Sequence, residues 1–315
     1  MQKGQRAGHT RQAQENGSQQ PASVMQKTQA TQSPGDEPSR LWQPASPLPP
    51  VVVDIHNHIY PEKIAAKAVE SVGRFYGIEM SADGSARNLL SIQQQAHISY
   101  SLVCSVALKP DQVQTINDFI AAECQRHPSF IGFATMHHDF PNKAAEIQRV
   151  CDLGLTGFKL HPDSQGVNVD DPRLLEFYAL IEDKLPLMLH CGDYRFDNSH
   201  PHRTQRVLRQ FPLLKVNCAH FGGWSLYDLA VEFLEHERCF LDISSASVYL
   251  GPRRTTELIH HYGAERILFG SDFPMWHPGT ELERFYQNVL TPAEREQILW
   301  HSAEAYLDRD LKPLF

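Results

Sequence analysis

The stretch VVVDIHNH, residues 51–58, joins a short β-type run directly to two histidines. Four of its first five residues are Val or Ile, a composition typical of a buried strand. Residues i and i+2 of a strand point to the same side, so the imidazoles of His56 and His58 can reach one ion. A His-x-His pair alone is a weak signal, because two surface histidines beside a turn have the same sequence.

Seven further runs of this kind follow, each short, apolar or β-branched, and bounded by turn residues. The eight predicted strands cover residues 51–55, 100–108, 130–136, 155–160, 187–190, 214–220, 239–243 and 266–271. The intervals between them have helical periodicity, with clear examples at 115–126, 144–153, 172–183 and 226–236. Eight strands that alternate with helices predict a parallel sheet closed into a (β/α)8 barrel of the TIM type.

Two features refine this fold prediction. A last helix is predicted over 292–307, with Thr291 as its N-cap and Glu294 closing a capping box. No Gly-x-Gly-x-x-Gly motif follows the first strand, which disfavours a dinucleotide-binding fold.

The first 49 residues differ from the rest of the chain. Residues 1–49 are rich in Gln, Ser, Pro, Ala and Thr and contain few large aliphatic residues. Such a segment cannot bury enough apolar surface to offset its ordering entropy, so a disordered tail is predicted. A Gln-rich interaction segment is the alternative. Residues 50–315 are predicted to form a single barrel, because one barrel takes roughly 250 residues.

Composition disfavours several classes of protein. The 315 residues carry a net charge of −8 without a cluster of Lys and Arg, which disfavours a nucleic-acid partner. We find no apolar run long enough for a membrane span and no stretch of signal-peptide type. The six cysteines lack the Cys-x-x-Cys spacing, and most lie in apolar runs. Reduced thiols and a cytoplasmic location are therefore expected.

Most of the predicted strands end in ionisable residues. These are His137 and His138 after strand 3, Lys159 and His161 at strand 4, His190 at strand 5, His220 at strand 6 and Asp272 after strand 8. In a (β/α)8 barrel the carboxyl ends of the strands carry the active site. Buried polar groups destabilise a fold unless they are satisfied, so packing alone does not explain the pattern. His137 and His138 are expected to shape the pocket.

His190 and Asp272 are predicted to complete a metal site with His56 and His58. Taken alone, His190 also fits a core histidine, and Asp272 fits a helix N-cap. Three imidazoles and a carboxylate suit one Zn²⁺ ion, with Mn²⁺, Fe²⁺ and Co²⁺ as alternatives. His220 is predicted to act with Asp272 as a catalytic acid–base group, and a fifth ligand or a core histidine is the alternative for His220.

Lys159, His161, Arg195 and Arg203 are predicted to bind the substrate. Arg195 and Arg203 lie in a long polar stretch after strand 5, where each could hold a carboxylate through paired hydrogen bonds. A solvated loop is the alternative for both arginines. For Lys159, an ion pair with Asp272 and a carboxylated, metal-bridging side chain remain open.

Together and in this order, the motifs resemble the amidohydrolase superfamily, and within it the amidohydrolase-2 group of decarboxylases, hydratases and hydrolases. The resemblance runs from about Val51 to Leu307 and rests on His56 with His58, GFKLHP at 157–162, His190, His220 and GSDFP at 270–274. It implies a distorted barrel with one divalent ion. It also implies that His56, His58, His190 and Asp272 are the ligands, and that His220 polarises the substrate or assists water.

The function predicted from these residues is metal-dependent hydrolysis of a small, carboxylate-bearing substrate. Water activated by the ion attacks an amide, ester or lactone, while His220 and Asp272 move protons. The first alternative is a metal-dependent decarboxylase of the aminocarboxymuconate-semialdehyde decarboxylase type. The second is a non-catalytic barrel scaffold, which is disfavoured because every expected ligand position is filled. A homo-oligomer is left open.

Overall fold

The computed structural model describes residues 47–314 of the chain, so the predicted disorder of residues 1–46 lies outside the described residues. Within 47–314 the structure has nine strands, and each pairs in parallel with its neighbours. They are β1 (Val53–His58), β2 (Tyr100–Cys104), β3 (Phe130–Gly132), β4 (Ala134–Thr135), β5 (Phe158–Leu160), β6 (Leu187–Leu189), β7 (Val216–Cys218), β8 (Phe240–Asp242) and β9 (Ile267–Leu268).

The strands form two hydrogen-bonded sheets, β1-β2-β3 and β4-β5-β6-β7-β8-β9. β3 and β4 are parts of one extended segment, which was predicted as a single strand over 130–136. The amide of Phe133 donates to Val103 in β2, whereas the next amide, that of Ala134, donates to Gly157 before β5. The predicted strand is present but interrupted, because the segment changes its hydrogen-bonding partner at Phe133.

The first and last strands close the ring. The amide of Ile55 donates to the carbonyl of Phe269 at 2.9 Å, just beyond β9. Asn57 forms an isolated parallel bridge with Phe273. Eight strand positions therefore surround one axis, and the predicted (β/α)8 barrel is confirmed.

Twelve α-helices lie within the described range. They are α1 (Glu62–Tyr76), α2 (Ala86–Gln95), α3 (Val113–Arg126), α4 (Lys143–Asp152), α5 (Pro162–Gln165), α6 (Pro172–Ile181), α7 (Pro201–Gln210), α8 (Tyr227–Leu234), α9 (Ser247–Tyr262), α10 (Pro278–Tyr286), α11 (Pro292–Glu296) and α12 (Ser302–Leu307). α9 is kinked at Gly251, and a π-helical turn at Gln297–His301 joins α11 to α12. The capping box of Thr291 and Glu294 is present. None of the described helices is both long and apolar enough for a bilayer span.

The residues at the amino ends of the strands are apolar. The polar residues of the barrel lie at the opposite, carboxyl ends. Val51 and Val53 pack in one buried cluster with Tyr306 and Leu311 from the end of the chain. This segment therefore covers the barrel at the amino ends of its strands. A larger buried cluster fills the space between the strands and the surrounding helices.

An additional helix covers the carboxyl ends of the strands. β1 is followed by α1 and then by α2, and α1 was not among the helices named from the sequence. Ile64, Ala68, Val72 and Phe75 recur every three or four residues along α1, and all four line one cavity. This spacing places them on one face of the helix. The helix ends at Gly77, whose φ of 67° gives a left-handed cap.

Candidate metal centre

Three ligand-type atoms meet at the carboxyl ends of β1 and β9. The Nε2 atoms of His56 and His58 are 3.3 Å apart. Oδ1 of Asp272 lies 3.5 Å from the first and 3.6 Å from the second. Donors held about 2.1 Å from a tetrahedral ion are about 3.4 Å apart. The spacing of these three atoms therefore suits one small divalent ion.

The hydrogen bonds of His56 direct a lone pair toward this position. Its Nδ1 lies 3.1 Å from Oδ2 of Asp242, which is fully buried. Burial alone would raise the pKa of Asp242, but the neighbouring His56 holds that pKa well below its ordinary value. The ionised carboxylate accepts, so the His56 hydrogen is on Nδ1 and Nε2 has the lone pair. Metal-binding histidines are commonly oriented in this way.

His58 and Lys159 also indicate that this position favours a positive group. Burial, followed by the charges of Lys159 and His56, lowers the pKa of His58 well below its ordinary value. Nδ1 of His58 lies 3.7 Å from Sγ of Cys104, so Nε2 of His58 points toward His56. Two lone pairs at this distance repel each other unless a proton or cation lies beside them. Nζ of Lys159 lies 2.8 Å from Nε2 of His56 and provides one positive group there.

Asp272 is held by the backbone and by Ser245. Its φ of 62° is in the left-handed region, its amide donates to the His56 carbonyl, and its Oδ2 accepts from Oγ of Ser245 at 2.6 Å. Burial would raise the pKa of Asp272, but nearby histidines, His56 foremost, hold it well below its ordinary value. The alternative of a helix N-cap does not apply, because α10 begins at Pro278 with His277 as its N-cap.

His220 and His190 form a second pair beside these three donors. Nδ1 of His220 lies 2.9 Å from the carbonyl of Ser244, so Nδ1 has the hydrogen. Nε2 of His220 then accepts from Nδ1 of His190 at 3.1 Å. Burial lowers the pKa of His220 to about 4, despite the opposing charges of Asp272 and Asp242. The ring is therefore neutral near pH 7.

His190 is not brought into the cluster of His56, His58 and Asp272. It groups instead with His161 and Asp163, and its Nε2 lies 3.5 Å from Oδ2 of Asp163. That nitrogen is buried and has no hydrogen-bond partner among the described residues. A free, buried lone pair is what a metal ligand would offer, so His190 as a fourth ligand stays a prediction.

The two arginines predicted to bind substrate are engaged elsewhere. Arg195 pairs with Asp193 at 2.6 Å, and its guanidinium lies over the ring of Phe75. Arg203 pairs with Asp170 and Asp197. Neither arginine lines the cavity above the three donors. Both therefore hold loops and helices together in this structure.

A cavity of about 560 Å³ opens onto His56, His58 and Asp272. Its wall is largely apolar or aromatic and includes Tyr60, Ile64, Val72, Phe75, Tyr76, Met80, Leu108, Ile116, Phe119 and Met275. Among the described residues, no Lys or Arg lines it. The space therefore suits a ring-sized group with a largely apolar surface.

Sequence reasoning missed several residues around the site. Asp242 ends β8 after an apolar run, so the rule applied to the other strand ends would have found it. Ser244 and Ser245 follow it and orient His220 and Asp272. Tyr76 lies in α1, where no motif marks it.

Comparison with known proteins now gives the family. The family model described as amidohydrolase matches residues 53–309. The chain belongs to the amidohydrolase family. The resemblance expected from the sequence is thereby confirmed. Among curated proteins, this amidohydrolase-family chain is 24% identical over 246 residues to gamma-resorcylate decarboxylase from Rhodococcus jostii strain RHA1. The match covers 60% of this chain and 74% of that protein.

Solved structures show the same fold. An uncharacterised TIM-barrel protein from Bordetella bronchiseptica matches with a TM-score of 0.66 and 21% identity, over 82% of this chain and 99% of that one. A dihydroxybenzoic acid decarboxylase from Polaromonas sp. JS666 matches with a TM-score of 0.61 and 17% identity, over 84% of this chain and 99% of that one. The latter was crystallised with manganese and the inhibitor 2-nitroresorcinol.

Proposed function

We propose that this protein is a metal-dependent decarboxylase of a small aromatic carboxylic acid. The observation that carries the proposal is the apolar, aromatic-walled cavity that ends at His56, His58 and Asp272. The similarity to gamma-resorcylate decarboxylase and to the Polaromonas enzyme supports it. Decarboxylation, which the sequence left as an alternative, is therefore preferred to hydrolysis.

The cavity wall favours loss of CO₂ on physical grounds. A carboxylate loses hydration when it enters apolar surroundings, which destabilises its charge. The wall itself has no Lys or Arg among the described lining residues, and the nearby Lys159 lies behind His56 at the end of the cavity. The departing CO₂ is neutral, so the cost of desolvation is relieved as the carbon–carbon bond breaks. The same wall gives an aromatic ring a large apolar contact area.

We assign the metal to His56, His58 and Asp272. His190, whose buried Nε2 lies 3.5 Å from Asp163 in this structure, remains the proposed fourth ligand. Imidazole and carboxylate donors suit Mn²⁺ as well as Zn²⁺. We propose Mn²⁺ as the first ion to test, because the Polaromonas protein holds manganese. When bound, the ion would supply positive charge that anchors a substrate oxygen and draws electron density from the ring.

Asp272 and His220 are proposed to assist the transfer of a proton to the ring carbon. When the bond to the carboxylate breaks, the ring carbon keeps the electron pair, accepts one proton and releases CO₂. The environment of Asp272 lowers its pKa, so its carboxylate is ionised and would first accept a proton from a hydroxyl group of the substrate or from water before passing it to the ring carbon. His220 has a neutral ring, and its Nε2 faces His190 rather than water. Because it lines the cavity, it is suited to position the substrate, and it could exchange a proton once its hydrogen bond with His190 is broken.

The proposal is tested with metal-reconstituted protein and two sets of substrates. One set contains aromatic acids such as 2,6-dihydroxybenzoate, and the other contains aryl esters and lactones of similar size. We expect CO₂ and the decarboxylated phenol from the first set. Variant His58→Ala is the matched control and should lose both bound ion and turnover. Turnover of esters or lactones alone would support hydrolysis, and wild-type protein without stoichiometric metal would support a scaffold.

A further inference from the structure

A hydrogen-bond chain leads from α5 to the cavity. The backbone amide of Ser164 donates to Nδ1 of His161 at 3.3 Å, so Nδ1 has a lone pair. A neutral His161 must then carry its hydrogen on Nε2. The ring is fixed by stacking on His190, with centroids 3.8 Å apart and planes at 8°.

The next group in the chain is Tyr76, at the end of α1. Its hydroxyl oxygen lies 2.6 Å from Nε2 of His161 and therefore accepts that hydrogen. The hydroxyl hydrogen of Tyr76 has no acceptor among the described residues, although the side chain lines the cavity. Contacts with Phe75, Arg195 and Trp224 hold the tyrosine ring in place.

We propose that Tyr76 is a substrate-binding residue that donates its hydroxyl hydrogen to an oxygen of the substrate. His161 acts as the positioning residue, because its Nε2 hydrogen occupies the tyrosine oxygen as an acceptor and directs the hydroxyl hydrogen into the cavity. The substrate class rests on the proposed function, whereas the oriented donor does not.

α1 thereby contributes more than apolar contacts to the cavity. The helix presents an apolar face to the cavity, and Tyr76 adds a hydroxyl donor at its end. Burial raises the pKa of Tyr76 above its ordinary value, in keeping with a hydroxyl group that stays protonated near neutral pH. A substrate with an oxygen substituent near α1 is therefore preferred to one with a bare ring. His161, expected from the sequence to bind substrate, acts through Tyr76.

The test measures binding rather than turnover, with 2-nitroresorcinol as the probe and manganese-loaded protein as the receptor. Calorimetry should show about 5- to 10-fold weaker binding by Tyr76→Phe, the usual effect of losing one hydrogen bond. Tyr194→Phe is the matched control, because Tyr194 is 63% exposed and does not line the cavity. Its affinity should equal that of the wild type. Unchanged binding by Tyr76→Phe, or no binding by the wild type, would overturn the inference.

A double-mutant cycle separates orientation from simple structural support. His161→Phe keeps a ring against His190 but removes the Nε2 hydrogen, and it should weaken binding about 2- to 5-fold. In the Tyr76→Phe background the same change should have no further effect, since the donor is already absent. Additive losses would overturn the role of His161. A wild type that binds the probe through Tyr76 but decarboxylates nothing would leave this inference standing and reject the proposed function.

Discussion

The two nitrogens of His56 have separate tasks. Nδ1 donates to Asp242, and Nε2 faces His58 and Asp272. The same Asp242 carboxylate accepts from the backbone amide of His220 at 3.1 Å. One buried carboxylate therefore orients both a proposed ligand and a proposed acid–base residue. In this way β8 contributes to the site although none of its residues is a proposed metal ligand.

We predict that Asp242→Asn lowers affinity for Mn²⁺ by 10- to 100-fold, the usual effect of removing an outer-shell partner. The variant keeps the shape of the side chain but weakens the orientation of His56. Competition with a fluorescent chelator measures the change, and circular dichroism checks the fold. Asp228→Asn is the control, because the Asp228 side chain is 89% exposed and pairs with Arg254. Equal affinities in both variants would reject the role of Asp242.

A second prediction at this scale concerns His220. His220→Asn should retain the ion and slow turnover by roughly 10²- to 10⁴-fold, the usual contribution of a positioned acid–base group. The ring faces His190 and Ser244 and lies outside the cluster of three donors. Metal analysis beside steady-state kinetics separates the two roles. Loss of the ion would make His220 a ligand.

Among the elements, α1 determines what the cavity can accept. The loop that follows α1 passes Gly84, whose φ is 74°. A Cβ atom there would lie 2.8 Å from Cγ2 of Val69 and 2.9 Å from Cδ2 of Tyr60. This close packing fixes the position of α1 at the carboxyl ends of the strands. Its apolar face therefore forms part of the cavity wall and should contact the substrate ring.

We predict that Val72→Ser weakens substrate binding about 5-fold, which corresponds to about 1 kcal/mol of lost apolar contact. Val72 lines the cavity, whereas Ala66 lies on the exposed face of the same helix. Ala66→Ser is therefore the matched control and should bind as the wild type does. Metal content should stay the same in both variants. An equal response of the two variants would show that α1 does not contact the substrate.

Particular elements show how much of the fold and of the site could be predicted from the sequence. The alternation of strands and helices was sufficient for the barrel, since short apolar runs ending in His or Asp mark strands and their carboxyl ends. The break at Phe133 could not be predicted, because it depends on which neighbouring strand accepts each hydrogen bond. Tyr76 could not be predicted either, because its partner His161 is distant in sequence. The ion pair of Arg195 with Asp193 could not be predicted, because it depends on where the two side chains lie in the folded protein.

For the whole molecule, the proposed metal site lies where the ring closes. His56 and His58 belong to β1, and Asp272 follows β9, so an ion would join the first strand to the last. A ligand that binds only the folded state stabilises it by mass action. The metal is therefore expected to contribute to stability as well as to chemistry.

We predict that chelation lowers the melting temperature by roughly 5–10 °C. An ion present at 100 times its dissociation constant adds about 2.7 kcal/mol, and each kcal/mol shifts the melting temperature of a barrel this size by about 2–4 °C. Thermal unfolding with and without chelator measures the shift. His58→Ala should show no such shift, because it has no ion to lose. A chelator effect of equal size in that variant would place the ion elsewhere.

The most direct test of the central claim is isotope incorporation during turnover of an aromatic acid by the metal-loaded protein. The reaction is run in D₂O and, separately, in H₂¹⁸O, and the ring product is analysed by mass spectrometry and NMR. Decarboxylation predicts one deuterium on the carbon that carried the carboxylate, release of CO₂ and no ¹⁸O in the ring product. An aryl ester or lactone of similar size is run in the same way. An ¹⁸O atom in its product carboxylate, with no CO₂ released from the aromatic acid, would contradict the account and identify a hydrolase.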